Sequence, residues 1–221
     1  MSIRLGVDLD GTLADLSSVY RDYERRLFGE LAATPDERAT EVSEKGRLKA
    51  ARVAVRRRQA VWEAIRRTPD FWTLLPPIEG AAIAQLHEAA TTKDWEVYFT
   101  TQRPATVGRS VQAQTRDWLA TQGFPGACVL ALNRSRGRLA AALDLDYLID
   151  DLAQNCVDAL SDSRCRPLLM VRSDDAEAKQ AAARLQITVV RSMADALTVI
   201  SRAGGEAPTP WRRLLRAVTG R

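Results

Sequence analysis

A chain of 221 residues, 46% hydrophobic and 27% charged, can bury one α/β core with a modest insertion, and its composition is that of ordinary globular material. No apolar run approaches the ~20 residues that span a bilayer. The three cysteines, Cys128, Cys156 and Cys165, form no CxxC pair, which argues against both a disulfide framework and a zinc site. The net charge of +4 is unevenly placed: nine basic and three acidic residues lie between Glu41 and Arg67, so that stretch carries +6 and the remainder −2. A solvated helix face and a surface attracting an anionic partner are both compatible with that excess. Residues 1–5 lack the pattern of a secretory leader, and the expected location is the cytoplasm.

In chain order, Ile3–Val7 is a short apolar run with β-branched residues that reads as a buried strand. It ends in Asp8, Leu9, Asp10, Gly11 and Thr12. Strand side chains alternate, so Asp8 and Asp10 share a face at the strand's C-terminal end, the edge where open α/β sheets bind ligands. Two carboxylates held close repel and raise each other's pKa unless a cation lies between them. A hard divalent ion, Mg²⁺ first among them, suits such oxygen ligands.

Residues 14–78 show no strand alternation. Ser17 and Ser18 are candidate N-caps for a helix through Phe28, Thr34–Glu37 reads as a helix start, and a long helical pattern runs from about Glu41 to Arg67. Phe71–Pro77 is an irregular apolar connector, so 15–77 reads as an all-helical insertion after the first strand. From Ile78 strands and helices alternate. The strands are Glu96–Thr100, Ala127–Ala131, Tyr147–Ile149, Pro167–Val171 and Ile187–Val190. The helices between and after them are Gly80–Ala90, Val107–Thr121, Arg136–Leu143, Ala153–Leu160, Asp175–Leu185 and Met193–Arg202. Such alternation predicts a Rossmann-like parallel sheet with helices on both faces, formed by 1–14 and 78–203. The tail, 204–221, contains Trp211–Arg216, which reads as a short basic amphipathic helix that docks on the body or meets a polyanion. His87 lies in a helical pattern away from every motif and reads as structural, leaving little scope for histidine-based nucleophilic catalysis.

Two further strand ends carry polar groups suited to a phosphorylated ligand. The strand through Phe99 ends in Thr100, Thr101, Gln102, Arg103 and Pro104, where a hydroxyl can donate to a phosphate oxygen. The run Tyr147–Ile149 ends in Asp150 and Asp151, mirroring the opening stretch and completing an oxygen-rich set with Asp8 and Asp10.

Together these stretches resemble the haloacid dehalogenase superfamily, whose first motif is an apolar run followed by DxDGT. Four motifs stand in that superfamily's order between positions 8 and 151. The resemblance implies that Asp8 attacks phosphorus, that Asp10 serves as acid and base, and that Thr101, with Thr100 as fallback, binds the phosphoryl group. It also implies that Gln102 and Arg103 lie near the substrate, and that Asp8, the main-chain carbonyl of Asp10, and Asp150 or Asp151 hold Mg²⁺. The superfamily supplies a Lys at the start of the helix before the last motif strand. Ungapped spacing from Asp150 puts Arg136 there, with Arg134 and Arg138 as alternatives.

A narrower similarity is to the 5′(3′)-deoxyribonucleotidase-like branch, carried by Asp8–Asp15, Phe71–Trp72 with Pro77–Ala81, and Leu148–Asp151. It implies a small phosphorylated substrate, a nucleoside monophosphate whose base stacks on Phe71 and Trp72. Leu16 departs from the aromatic often found there. The competing reading is a binding protein of the same fold whose basic insertion and tail meet nucleic acid or another acidic partner.

Overall fold

The computed structural model describes residues 2–29, 44–172, 180 and 182–204. The expected helix start at Thr34–Glu37, most of the predicted helix 175–185 and the basic tail lie outside them. The strands are β1 (Arg4–Asp8), β2 (Glu96–Thr101), β3 (Cys128–Ala131), β4 (Tyr147–Asp150), β5 (Arg166–Met170) and β6 (Thr188–Val190). They form one sheet in the order β3-β2-β1-β4-β5-β6, with every pairing parallel. Helices α1 (Leu16–Phe28) and α2 (Glu44–Arg67) follow β1, and α3 (Ala82–Lys93) leads into β2. The helices α4 (Val111–Thr121), α5 (Arg136–Ala142), α6 (Ala153–Asp162) and α7 (Met193–Gly204) complete the alternation. The architecture is the predicted one: a Rossmann-like parallel sheet flanked by helices, with a helical insertion after β1.

A strand buried on both faces needs no polar alternation, which is why the central strands read as apolar runs. Leu5 and Val7 of β1 and Ile149 of β4 are fully buried, and they join Leu9, Phe99, Trp118 and Leu119 in the main core. That core extends into the insertion through Val61 and Ile65 of α2 and through Phe71 and Trp72 of the 3₁₀ turn Phe71–Thr73. The two ends of the insertion lie side by side. Asp15 N donates to Pro76 O at 2.9 Å and Ile78 N to Leu13 O at 2.8 Å, closing a short antiparallel crossing. The N-cap of α1 is Asp15, whose Oδ1 accepts from Ser18 N at 2.9 Å; Ser17 and Ser18 fall inside the helix instead. The aspartate wins because a cap must sit outside the first turn and accept from within it.

β1 is central, with β2 on one side and β4 on the other. The chain runs outward from β1 in both directions, so the crevice between the C-terminal ends of β1 and β4 is a topological switch point. Asp8 and Asp150 are the last residues of these two strands. Among the described residues, no helix is long and apolar enough to cross a membrane.

Candidate active site

Three carboxylates converge at the switch point. Oxygen atoms of Asp8, Asp150 and Asp151 all lie within 4.8 Å of one another. Asp8 and Asp150 are buried, and Asp151 is half-buried against the turn at Gly11. That turn has φ +92° at Gly11, and a Cβ there would overlap the Asp151 carboxylate, so glycine is required both for the conformation and for the approach. Thr12 Oγ1 lies 3.5 Å from Asp151 Oδ1.

Among the described residues, one cation enters this acidic group. Arg136 opens α5, capped by Ser135, and its Nη2 donates to Asp8 Oδ1 at 2.6 Å. Its Nε lies 3.4 Å from Asp150 Oδ2. Arg136 is buried, whereas Arg134 and Arg138 are exposed. The position depends on Gly137, because a Cβ there would overlap the carbonyl oxygen of Asp158, and so glycine lets α5 lie against α6. Asp150 is further held by Leu152 N at 2.9 Å and by Asn155 Nδ2 at 3.0 Å to each oxygen.

Among the described residues, one guanidinium faces three acids and does not balance them. Burial and the charge of Asp150 push the Asp8 carboxyl well above the usual range, with Arg136 only partly opposing them. Burial also raises Asp150 against the pull of its hydrogen-bond donors. Asp151 is pushed up to about 6, first by burial and then by the charge of Asp150. A group of buried, mutually repelling carboxylates with oxygen-only donors fits a hard divalent cation.

Asp10 lies on the other side of the edge and has different partners. Arg103 Nε donates to Asp10 Oδ1 and Oδ2 at 3.1 and 2.9 Å, and its Nη2 to Oδ1 at 2.7 Å. Thr101 Oγ1 lies 3.3 Å from Asp10 Oδ2 and accepts from Arg103 N at 3.2 Å.

The remaining expected residues divide. Thr101 reaches the site, but Thr100 is buried and its hydroxyl faces the carbonyl of Val7 at 3.5 Å, within the sheet. Gln102 is exposed and bonds Arg134 O at 3.3 Å. Arg103 does not present its guanidinium to a ligand, because the side chain is fully buried on Asp10. Phe71 and Trp72 are not a stacking surface for a base. Both are 0% exposed, Phe71 stands edge-on to Tyr23 and to Trp72, and Trp72 lies over Arg103. The apolar connector was spent on joining the insertion to the core. His87 packs edge-on to Phe124, with ring centroids 4.8 Å apart.

Sequence reasoning passed over Gln114 and Thr115. Gln114 is buried and accepts from Trp72 N at 3.0 Å, and Thr115 accepts from Arg103 Nη1 at 3.0 Å. It also passed over Arg172, which donates to the carbonyls of Gly11 at 2.9 Å and Thr12 at 2.7 Å and pairs with Glu79 at 2.6 Å. The signal available for the first pair was two polar residues on the α4 face that also carries Trp118 and Leu119.

The fold superposes on solved structures of one kind. A conserved haloacid dehalogenase-like protein of unknown function from Agrobacterium tumefaciens superposes with a TM-score of 0.57, covering 92% of this chain and all of that one at 13% identity. A phosphonoacetaldehyde hydrolase-like protein from Oleispira antarctica gives 0.55, covering 94% and 96% at 17% identity. The L-2-haloacid dehalogenase of Xanthobacter autotrophicus gives 0.53, covering 94% and 100% at 12% identity. The fold is that of the haloacid dehalogenases. At these identities the likeness to haloacid dehalogenases concerns the fold, and nothing in it singles out the deoxyribonucleotidase-like branch. No family model and no curated protein matches the sequence.

Proposed function

We propose that this protein is a Mg²⁺-dependent phosphomonoester hydrolase working through a phosphoaspartyl intermediate on Asp8. The observation that carries the reading is the pairing of a buried, cation-oriented carboxylate, Asp8, with a second carboxylate, Asp10, two residues on at the same sheet edge.

Among the described residues, Asp8 receives a hydrogen bond on Oδ1 alone, from Arg136, which orients the carboxylate. A carboxylate oxygen of Asp8 attacks phosphorus and the bond from phosphorus to the ester oxygen breaks. Asp10 is the group placed to give the departing oxygen its proton. Asp10 then takes a proton from water as that water attacks phosphorus, which frees Asp8 and inorganic phosphate. The Thr101 hydroxyl and the Arg136 guanidinium supply donors for the equatorial oxygens, where charge is spread in the transition state. Asp8, Asp150, Asp151 and the main-chain carbonyl of Asp10 would hold Mg²⁺, which offsets the repulsion between the carboxylates and the incoming phosphoryl group. The helical insertion, 15–77, would cover the sheet edge as a cap over the core of 1–14 and 78–203.

The substrate class is a small phosphomonoester. A nucleoside monophosphate remains one member of that class, supported by the sequence similarity but no longer by Phe71 and Trp72. The test is a panel of phosphomonoesters, nucleotides included, assayed with Mg²⁺ and after exhaustive chelation, with acid-quenched trapping of labelled enzyme. Metal-dependent hydrolysis with label on Asp8 is expected. Full activity after chelation, or turnover with no trapped label, would overturn the reading.

A further inference from the structure

Arg103 is an arginine with no route to solvent. Its side chain is 0% exposed, yet it is bound on every side. Nε and Nη2 grip both oxygens of Asp10, Nη1 donates to Thr115 Oγ1 at 3.0 Å, and the main-chain N donates to Thr101 Oγ1. Two indoles flank the guanidinium: its central carbon lies 4.7 Å from the ring centroid of Trp72 and 5.8 Å from that of Trp118. Each indole is itself fixed, since Trp72 Nε1 donates to Pro104 O at 3.0 Å and Trp118 Nε1 to Leu75 O at 2.7 Å. A cation desolvated against aromatic faces and paired through two donors is costly to leave unpaired, and its planar fork restrains the plane of the carboxylate it holds.

We propose that Arg103 is the positioning residue for Asp10, and that the Trp72–Arg103–Trp118 stack sets the angle at which the Asp10 carboxylate meets the leaving oxygen. A carboxylate on a short side chain at a turn can rotate about its last torsion. Gripped at both oxygens it cannot, and proton transfer depends strongly on such geometry. The stack draws one indole from the connector that closes the insertion and the other from α4, so the proton-transfer group is held by the joint between insertion and core.

This inference rests on the phosphatase reading. Its test is a series of phosphomonoesters of rising leaving-group pKa, from an activated aryl phosphate to alkyl phosphates, assayed on the full chain. Arg103→Met keeps the apolar stem between the indoles and removes the grip. The loss in kcat/KM is expected to grow along the series, from about threefold for the aryl ester to roughly 10²-fold for the alkyl esters. Arg103→Lys, with charge but no fork, should fall between parent and Met variant. The double variant Asp10→Asn/Arg103→Met should be no slower than Asp10→Asn alone, because one function has been removed twice. Equal slowing of every substrate, or additive losses in the double variant, overturns the inference while leaving an active parent enzyme and its phosphatase reading intact. A parent enzyme that hydrolyses no phosphomonoester overturns the reading itself, and the inference with it. If thermal melts show that Arg103→Met does not fold, Thr115→Val removes only the acceptor of Nη1. It should produce the same graded loss at smaller amplitude, and a uniform loss there is equally decisive.

Discussion

Asp8 and Asp10 stand two residues apart on one strand end, and the protein treats them in opposite ways. On the β4 side, Asp8 shares one guanidinium with Asp150 and lies beside Asp151, so that among the described residues acids outnumber cations. On the β2 side, Asp10 has a guanidinium to itself, held through both oxygens, with a threonine hydroxyl in addition. Among the described residues the first half carries more acids than cations, as the proposed metal site requires. The second is complete and is built to hold a shape. Two identical side chains thus acquire different chemistry from their neighbours, since local partners set both the charge and the freedom of a carboxylate.

The comparison breaks most completely at Asp8. Asp8→Asn should lower turnover by about 10⁴-fold or more and abolish the trapped phosphoenzyme, because the amide keeps the shape but not the nucleophile. Label recovered on the variant would remove Asp8 from that role.

Next in size is the cation on the incomplete side. Arg136→Ala should cost roughly 10²–10³-fold in kcat, on the scale of losing one preorganised donor. The same change leaves the acids less compensated, so calorimetric titration should show Mg²⁺ binding more tightly even as turnover falls. Exposed Arg134 and Arg138 should each change turnover by no more than about twofold when replaced by Ala. Weaker metal binding in Arg136→Ala would mean that the guanidinium organises the acids rather than competing for them.

Gly137→Ala tests the same side through the backbone. The added methyl meets the carbonyl of Asp158, so α5 must move away from α6, at a cost of about 1–3 kcal/mol in urea unfolding. Turnover should fall with the displaced Arg136, and the leaving-group dependence should keep its parental slope, because Asp10 is not touched. A steeper slope would show that the two halves are coupled.

The smallest effect is a titration. Asp151 is pushed up to about 6, above the ~3.9 of an unfolded chain. The folded state then binds more protons between those values, so stability falls as pH rises from about 4 through 6. Asp151→Asn cannot ionise and escapes that loss. In metal-free buffer its Tm should gain on the parent's between pH 4 and 7, and saturating Mg²⁺ should reduce the gain. A difference in Tm that is independent of pH would assign the raised carboxyl elsewhere.

What the sequence disclosed about this site follows the same division. The acids, Thr101 and Arg136 were legible because each sits at the end of an apolar run or one step into a helix, where local pattern gives position. Phe71, Trp72 and Arg103 were not, because their roles depend on which distant elements meet. Aromatics in a connector and an arginine after a strand look like ligand contacts until the fold closes them on one another. The polar residues of α4 were masked in the same way, since Gln114 and Thr115 face inward only because a buried turn and a buried guanidinium need them. The helical pattern 41–67 was readable from periodicity, and its described part, Glu44–Arg67, is one helix. Arg172 belongs to the other class, since nothing near it in sequence announces the carbonyls of Gly11 and Thr12.

The central place of β1 also bears on synthesis. Arg4 pairs with Glu96 and Leu5 with Tyr147, so both neighbours of this strand are encoded far downstream. At roughly 5–20 residues per second, β1 waits on the order of ten seconds for β2, and longer for β4. Through that interval an apolar strand with two open edges is a template for association with other chains. Asp8 and Asp10 end it with two charges that have no arginine partner yet, and flanking charges of this kind discourage edge-to-edge pairing. The residues proposed to carry out the reaction in the folded protein thus also place charge at the end of the strand while it waits for its neighbours.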